Sequence, residues 1–238
     1  MKLDILAFGA HPDDVELSCS GTLIKHVALG RKAGVVDLTR GELGTRGTPE
    51  IREQEALSAA QLMGIHIREN LGMRDGFFLN DEVHQKMVIR AIRKYQPQLV
   101  LANAVADRHP DHGKAACLVN DAVFLSGLRM INTEDEGQEQ EVWRPLALYH
   151  YIQDQWIEPD ILIDISDYHE KKMESIRAFQ SQFFDPHSKE PETYISKPEF
   201  LNSITFRAEE LGRRIGVNHA EGFTSTRKIG IDNFFQLK

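Results

Sequence analysis

Apolar and polar positions follow two rhythms along this chain. Residues 3–10 form an apolar run broken only by Asp4 and closed by Gly9-Ala10, the pattern of a parallel strand covered on both faces. Residues 15–29 change to helical spacing, with Leu17, Leu23 and Val27 on one side and Gly30 at the stop. Residues 33–39 (AGVVDLT) read as a second strand. Thr48 then caps a helix with Pro49 in its first turn, running to Met63 before Gly64. Residues 65–71 give a weaker strand, 82–95 an amphipathic helix on Val83, Met87, Ile89 and Ile92, and 98–102 a fourth strand. A helix over 113–125, strands over 145–152 and 160–165, and helices over 165–179 and 198–214 complete the series. Residues 132–141 (NTEDEGQEQE) read as a charged surface loop, and 183–198 (FFDPHSKEPETYISKP) as a flexible connection.

Short apolar strands alternating with helices of about 15 residues predict right-handed βαβ units. The fold class expected is α/β, a doubly wound and mostly parallel sheet with flanking helices. No linker or internal repeat interrupts the 238 residues, so one domain over 1–238 is expected. A net charge of −8 argues against a non-specific nucleic-acid or membrane-surface partner. The N-terminal apolar run is too short to span a bilayer and lacks a signal peptide's cleavage pattern. Cys19 and Cys117 are too few for a disulfide scaffold, which fits a cytoplasmic protein; both read as small buried residues inside helices.

Two tetrapeptides change the picture from fold to chemistry: His11-Pro12-Asp13-Asp14 and His109-Pro110-Asp111-His112. Each follows a predicted strand, and in open α/β sheets sites form beyond the carboxyl ends of strands. The two turns can therefore converge, and their prolines stiffen them. His11, Asp14 and His112 are the candidate metal ligands. Zinc accepts imidazole nitrogen and carboxylate oxygen at roughly 2.0–2.2 Å, and a catalytic site keeps three protein ligands and one open position. One Zn2+ per chain is expected, although other divalent metals accept the same donors. Asp13, beside a ligand without having to bind, is the candidate general base. His109 is the candidate acid for a departing amine, with Asp111 to orient it and raise its pKa.

A single His-Pro-Asp turn is ordinarily a cap or surface element; two of them, each after a strand and each ending in a ligand-type residue, favour a metal. His26, His66, His84, His150, His169 and His187 have no such company and read as surface or core residues, with His219 a weak pocket candidate. Residues 41–47 (GELGTRG) lack the lysine and serine of a phosphate-binding loop, and Gly9 alone makes no dinucleotide fingerprint. The glycine-rich segment suits a mobile loop at the mouth of a site. Arg46 and Arg52, then Arg108, are the basic residues placed to meet an anionic substrate group.

At these residues the chain resembles the LmbE-like (PIG-L) zinc deacetylases. The matching stretches are ILAFGAHPDDVELSCSGTL (5–23), the region 45–65, DRHPDHGKAA (107–116) and the C-terminal run 191–223. The resemblance implies a Rossmann-like fold without a nucleotide, zinc at His11, Asp14 and His112, Asp13 as base, and His109 with Asp111 as the acid pair. It places Arg52 and Tyr194 at positions used for substrate or oxyanion contact. A phenol on the 183–198 connection could swing in and donate to a tetrahedral oxyanion. The branch most resembled acts on N-acetyl-glucosaminyl malate in bacillithiol biosynthesis, so the implied partner is a small amino-sugar substrate. Relatives assemble as homo-oligomers, often hexamers, and assembly of this chain is expected too. One departure is Ser20-Gly21-Thr22, where relatives carry Gly-Gly-Thr; a tight helix–sheet contact is expected to differ there.

The leading expectation is metal-assisted hydrolysis of an N-acetyl amide. Other N-acetyl-glucosaminides (chitobiose-like, mycothiol-type or lipid-linked) keep the metal and change the substrate. From a different class, a non-catalytic nucleotide-binding module lacks its glycine fingerprint. A structural metal site is disfavoured by three N/O ligands where four, mostly cysteine, are usual.

Overall fold

The computed structural model describes residues 1–236. Five strands run in parallel where the apolar runs end in small or polar residues: β1 (Ile5–Gly9), β2 (Ala33–Thr39), β3 (Ile67–Met73), β4 (Leu99–Ala102) and β7 (Ala147–Tyr151). Two more, β8 (Ile161–Asp164) and β9 (Ala220–Thr224), close one edge antiparallel, giving the order β3-β2-β1-β4-β7-β9-β8. The sheet is thus mostly parallel, as the alternation of elements requires.

All five residues of β1 are buried because helices cover both of its faces. Leu6 and Phe8 point to Val88, Ile89 and Ile92 of α3 (Glu82–Tyr95) and to Leu118 and Val119 of α4 (Pro110–Leu125). Ile5 and Ala7 point the other way, to Val15, Cys19 and Leu23 of α1 (Asp14–Ala28) and Met63 of α2 (Pro49–Met63). The period of two along a strand thereby divides one sequence run between two cores. A third apolar cluster joins α2 to α5 (His169–Arg177) and α6 (Pro198–Arg214) through Ala59, Ile176, Phe179, Phe183, Phe200 and Ile204.

Local signals explain the boundaries. The Thr48 hydroxyl accepts the Ile51 amide at 3.3 Å to open α2, and Gly64 ends it at φ 71°, a left-handed cap. Asp81 caps α3 through the His84 amide at 3.0 Å.

Several expectations need correction. Helix α4 begins at Pro110, three residues early, because His109 caps it and proline suits a first helical position. The predicted loop 132–141 holds a small hairpin, β5 (Glu134–Asp135) with β6 (Gln138–Glu139), turned by Glu136 and Gly137 at positive φ. The helix expected over 165–179 is a 3-10 turn, Ser166–Tyr168, followed by the shorter α5. Strand β3 lies two residues later than read, and β9 was not foreseen. Cys19 is buried as expected, whereas Cys117 is exposed on the outer side of α4, opposite Ala115, Leu118, Val119 and Ala122. Among the described residues no helix is long and apolar enough to cross a membrane.

Candidate metal centre and active site

The carboxyl ends of the parallel strands all feed one crevice. His11 to Asp14 follow β1, Asp75 follows β3, Asn103 and the 107–112 turn follow β4, and Gln153 follows β7. From β1 the chain crosses to one side of the sheet and from β4 to the other, so a cleft opens between them. The resulting cavity measures about 530 Å³. A larger one of about 750 Å³ lies beside the start of β7, lined by Phe124, Arg144 and Leu146; it contains no histidine and one carboxylate, Asp121. The chemistry sits in the smaller cavity.

His11 and Asp14, 101 and 98 positions before His112 in the chain, meet it there, all three buried. The Asp14 carboxylate lies 3.0 Å from His112 Nε2 and 3.6 Å from His11 Nδ1. The outer nitrogen of each ring is held by another carboxylate: His11 Nε2 by Asp75 Oδ1 at 3.0 Å, and His112 Nδ1 by Asp107 Oδ2 at 2.5 Å. That arrangement fixes the tautomers and aims one free lone pair of each imidazole at Asp14, as outer carboxylates do around metal-bound histidines. Asn103 Nδ2 and Gln153 Nε2 donate to Asp14 at 3.0 and 3.1 Å and steady it from β4 and β7. Two nitrogens and a carboxylate, pre-oriented and buried, fit a divalent cation of zinc's preferences.

Electrostatics point the same way. Burial alone would lower His11, but the carboxylates of Asp111, Asp14 and Asp75 outweigh it and hold the imidazole well above its usual pKa. Burial likewise opposes protonation of His112, yet Asp14 and Asp107 push it up to about 9. A field that favours two imidazolium ions also favours one dication.

Two overlapping clusters share His11: one with His109 and His112, the other with Asp75 and Asp111. In the second, Asp75 Oδ2 already accepts the Leu43 amide, and Asp111 accepts the Gly76 amide and the Lys114 ammonium, both within 3.0 Å. The nearby ammonium and the committed lone pairs disfavour a cation between those carboxylates.

Asp13 precedes α1 at φ 119°, a left-handed value rare outside glycine. Strain of this kind persists where surrounding contacts over-determine it, and Arg52 supplies them. Its guanidinium donates to Pro12 O at 2.6 Å, to Gly41 O at 3.2 Å and to Asp13 Oδ2 at 3.3 Å. Arg52 was expected to meet the substrate; the structure instead commits one terminal nitrogen to the Pro12-Asp13 turn and the other to Gly41 after β2, though the residue still borders the cavity. Burial, reinforced by Asp14 and partly offset by Arg52, pushes the Asp13 carboxyl up to about 7.

The acid pair also needs correction. Asp111 lies in the first turn of α4, and its carboxylate accepts from Gly76 and Lys114 and lies 3.5 Å from His11 Nε2. Its main-chain amide donates to His109 Nδ1 at 3.3 Å, which leaves Nε2 as the protonated nitrogen. Burial, then His11 and His112, lower the His109 pKa below its usual value, where an upward shift was expected.

Tyr194 and Arg108 line the outer wall. The Tyr194 hydroxyl donates to Asp154 Oδ1 at 3.2 Å, Arg108 Nε to Asp154 Oδ2 at 2.9 Å, and the Arg108 guanidinium covers the Tyr194 ring at 4.4 Å. Arg46 is buried beneath the 183–198 connection, donating to Ser188 Oγ at 2.8 Å. His219 lies outside the cavity lining, stacked on His169 with ring centroids 3.9 Å apart.

Asp75, Asp107, Asn103, Gln153 and Arg207, all at this site, were missed by sequence reasoning. A signal existed for some of them. Asp75 and Gln153 closely follow strands that end at the same sheet edge, and Asp107 stands two residues before the second motif. Alanine at Asp107 or at Asp75 is expected to weaken metal affinity about 10–100-fold while leaving the fold intact. Chelator competition followed by far-UV circular dichroism checks this; unchanged affinity in both variants would discount the outer carboxylates.

The family model described as PIG-L, GlcNAc-PI de-N-acetylase, matches residues 6–123, which include both motifs. The chain belongs to the PIG-L (LmbE-like) deacetylase family. The diacetylchitobiose deacetylase of Thermococcus kodakarensis is 28% identical over 191 residues, covering 75% of this chain and 70% of that one. A probable N-acetyl-α-D-glucosaminyl L-malate deacetylase 2 of Bacillus subtilis is 27% identical over 199 residues, covering 76% and 84%. The crystal structure of the conserved protein TT1542 from Thermus thermophilus superposes with a TM-score of 0.87 at 34% identity, covering 98% of both chains. The doubly wound sheet is thus the PIG-L family fold.

Proposed function

We propose that this chain is a zinc-dependent hydrolase that deacetylates N-acetylglucosamine-containing compounds, with N-acetyl-glucosaminyl L-malate as its substrate. The observation that carries the reading is the pair of carboxylate-held imidazoles, His11 with Asp75 and His112 with Asp107, closing on Asp14. His11 Nδ1, Asp14 and His112 Nε2 would hold the ion. When bound, it would polarise the acetyl carbonyl and make water a competent nucleophile near neutral pH.

The remaining steps belong to the protein. Asp13, held by Arg52, takes a proton from the attacking water as its oxygen bonds to the acetyl carbon. Tyr194 leaves Asp154 and donates to the developing oxyanion. The proton that Asp13 took from the water passes to the nitrogen as the carbon–nitrogen bond breaks, releasing acetate and an amine, while His109, neutral with its single proton on Nε2, serves as a hydrogen-bond donor in the cavity. Arg46 and Arg108 border the cavity beside Glu190 and Asp154, and would exchange those partners for a carboxylate-bearing aglycone, a reading that the likeness to the Bacillus subtilis relative also supports.

Amine release from the malyl glycoside, from diacetylchitobiose and from an N-acetylglucosaminyl inositol tests the substrate. One charge-assisted hydrogen bond predicts a preference for the malyl compound of about 10–100-fold in kcat/KM. That preference should disappear in Arg46→Ala or Arg108→Ala. Equal rates, or faster turnover of the neutral disaccharide, would transfer the assignment to the chitobiose type.

A further inference from the structure

Helix α1 carries Asp14 in its first turn, and Leu17 and Ser18 on the cavity wall. One turn further along, it meets a buried ion pair contributed by two other elements. Lys172 of α5 and Glu221 of β9 are each 3% exposed at the side chain, with Nζ and Oε1 2.6 Å apart. Both reach the main chain of α1 in its interior. Glu221 Oε1 accepts from the Gly21 amide at 3.0 Å and Oε2 from the Thr22 amide at 2.7 Å. Lys172 Nζ donates to Leu17 O at 3.0 Å.

In a regular helix the Gly21 amide belongs to the Leu17 carbonyl, and the Thr22 amide to that of Ser18. The ion pair stands astride this step, its carboxylate on the donors and its ammonium on the acceptor. Side chains that enter the ladder bend a helix, and the Ser20 hydroxyl, bonded back to Glu16 O at 2.8 Å, favours a bend at the same place. Gly21 makes the approach possible. A Cβ there would lie 2.8 Å from Ile165 Cδ1 and 3.0 Å from Glu221 Oε1. The departure at Ser20-Gly21-Thr22 therefore leaves the residue that the contact needs.

A buried ion pair is a poor device for stability alone, because an apolar pair of similar volume does as well or better. What charges add here is direction. Bonds to both sides of one helical turn stop α1 from sliding or rotating against the sheet. Asp14 begins that helix, while its neighbours His112, Asn103 and Gln153 are carried by other elements.

We propose that Lys172 and Glu221 are positioning residues for the reaction, setting the register of α1 so that Asp14 meets the two imidazoles. The inference rests on the metal assignment made above. The test uses the full chain with Lys172→Met and Glu221→Gln together, which leaves no unpaired buried charge, and with each alone. Three quantities are read: Zn2+ affinity by chelator competition, the visible spectrum of the Co2+-loaded protein, and kcat separately from KM. The double variant is expected to unfold at the parent's denaturant midpoint. Its Zn2+ affinity should be about 10–100-fold weaker, the range for losing an outer partner. Its kcat should fall on the order of 10²-fold, as for a displacement of about 1 Å, with KM little changed.

Parent affinity, spectrum and kcat in a folded double variant would overturn the proposal and leave the pair a folding element. Should that variant not fold, Lys172→Arg replaces it, keeping the charge and altering the reach. A shifted Co2+ spectrum there supports positioning, and an unaltered one overturns it. Asp14→Asn, measured in parallel, separates the two ideas: parent Zn2+ affinity in that variant would sink the metal assignment itself, whatever Glu221 does.

Discussion

An Asp13→Asn variant is expected to retain one metal ion per chain and to lose about 10²–10⁴-fold in kcat, the range for removing a general base. Asparagine tolerates positive φ better than most residues, so the turn at φ 119° can persist. Its amide matches the carboxylate in shape but does not take up a proton at neutral pH. Asp13 is buried at 5% exposure, bonded to Arg52, and lines the same cavity as Asp14. Metal content by atomic emission and single-turnover amine release measure the two halves of the expectation. An Asp13→Asn protein with full zinc and parent kcat would remove Asp13 from the chemistry. Asp13→Ala serves as the harsher comparison, since alanine at this φ keeps the strain and loses the Arg52 contact.

For Asp14 the expected loss is of the metal itself. Its carboxylate accepts the His11 amide at 2.9 Å, Asn103 at 3.0 Å and Gln153 at 3.1 Å, besides facing both imidazoles. Asp14→Asn keeps an acceptor for those donors and removes the charge that offsets a dication. Zn2+ affinity should fall by more than the roughly 10–100-fold expected for an outer carboxylate, and turnover should fall with it. The alanine variant adds a structural cost, because buried donors left without partners each cost about 1–3 kcal/mol. Comparing denaturant midpoints of the two variants separates that cost from the loss of metal.

Both variants probe one design, in which two short turns at the same sheet edge carry the chemistry and the surrounding elements hold them still. Arg52 of α2 holds Asp13, β4 and β7 hold Asp14 through Asn103 and Gln153, and the loops after β3 and β4 hold the imidazoles through Asp75 and Asp107. His11 and Asp14 are each fixed from distant elements, and His112 by Asp107 five residues before it. Sub-ångström placement is therefore a property of the whole sheet.

Much of this was readable along the chain because it depends on near neighbours. Apolar periodicity marked β1, β2, β4 and the helices around them. Thr48 with Pro49, and Gly64, marked the ends of α2 through local hydrogen bonding and backbone freedom. The two His-Pro-Asp turns declared themselves because ligand-type residues stood together after strands. Other features depend on groups distant in the sequence that the fold brings within bonding range. Asp75 reaches His11 across 64 positions, and Arg52 reaches Asp13 across 39. Strand β9 is ordered by pairing with β7 and β8, its five residues carrying little periodic signal of their own. Where the Asp111 carboxylate points follows from the turn of α4 on which it rides. Helix phase and strand pairing are settled by packing, which no single segment encodes alone.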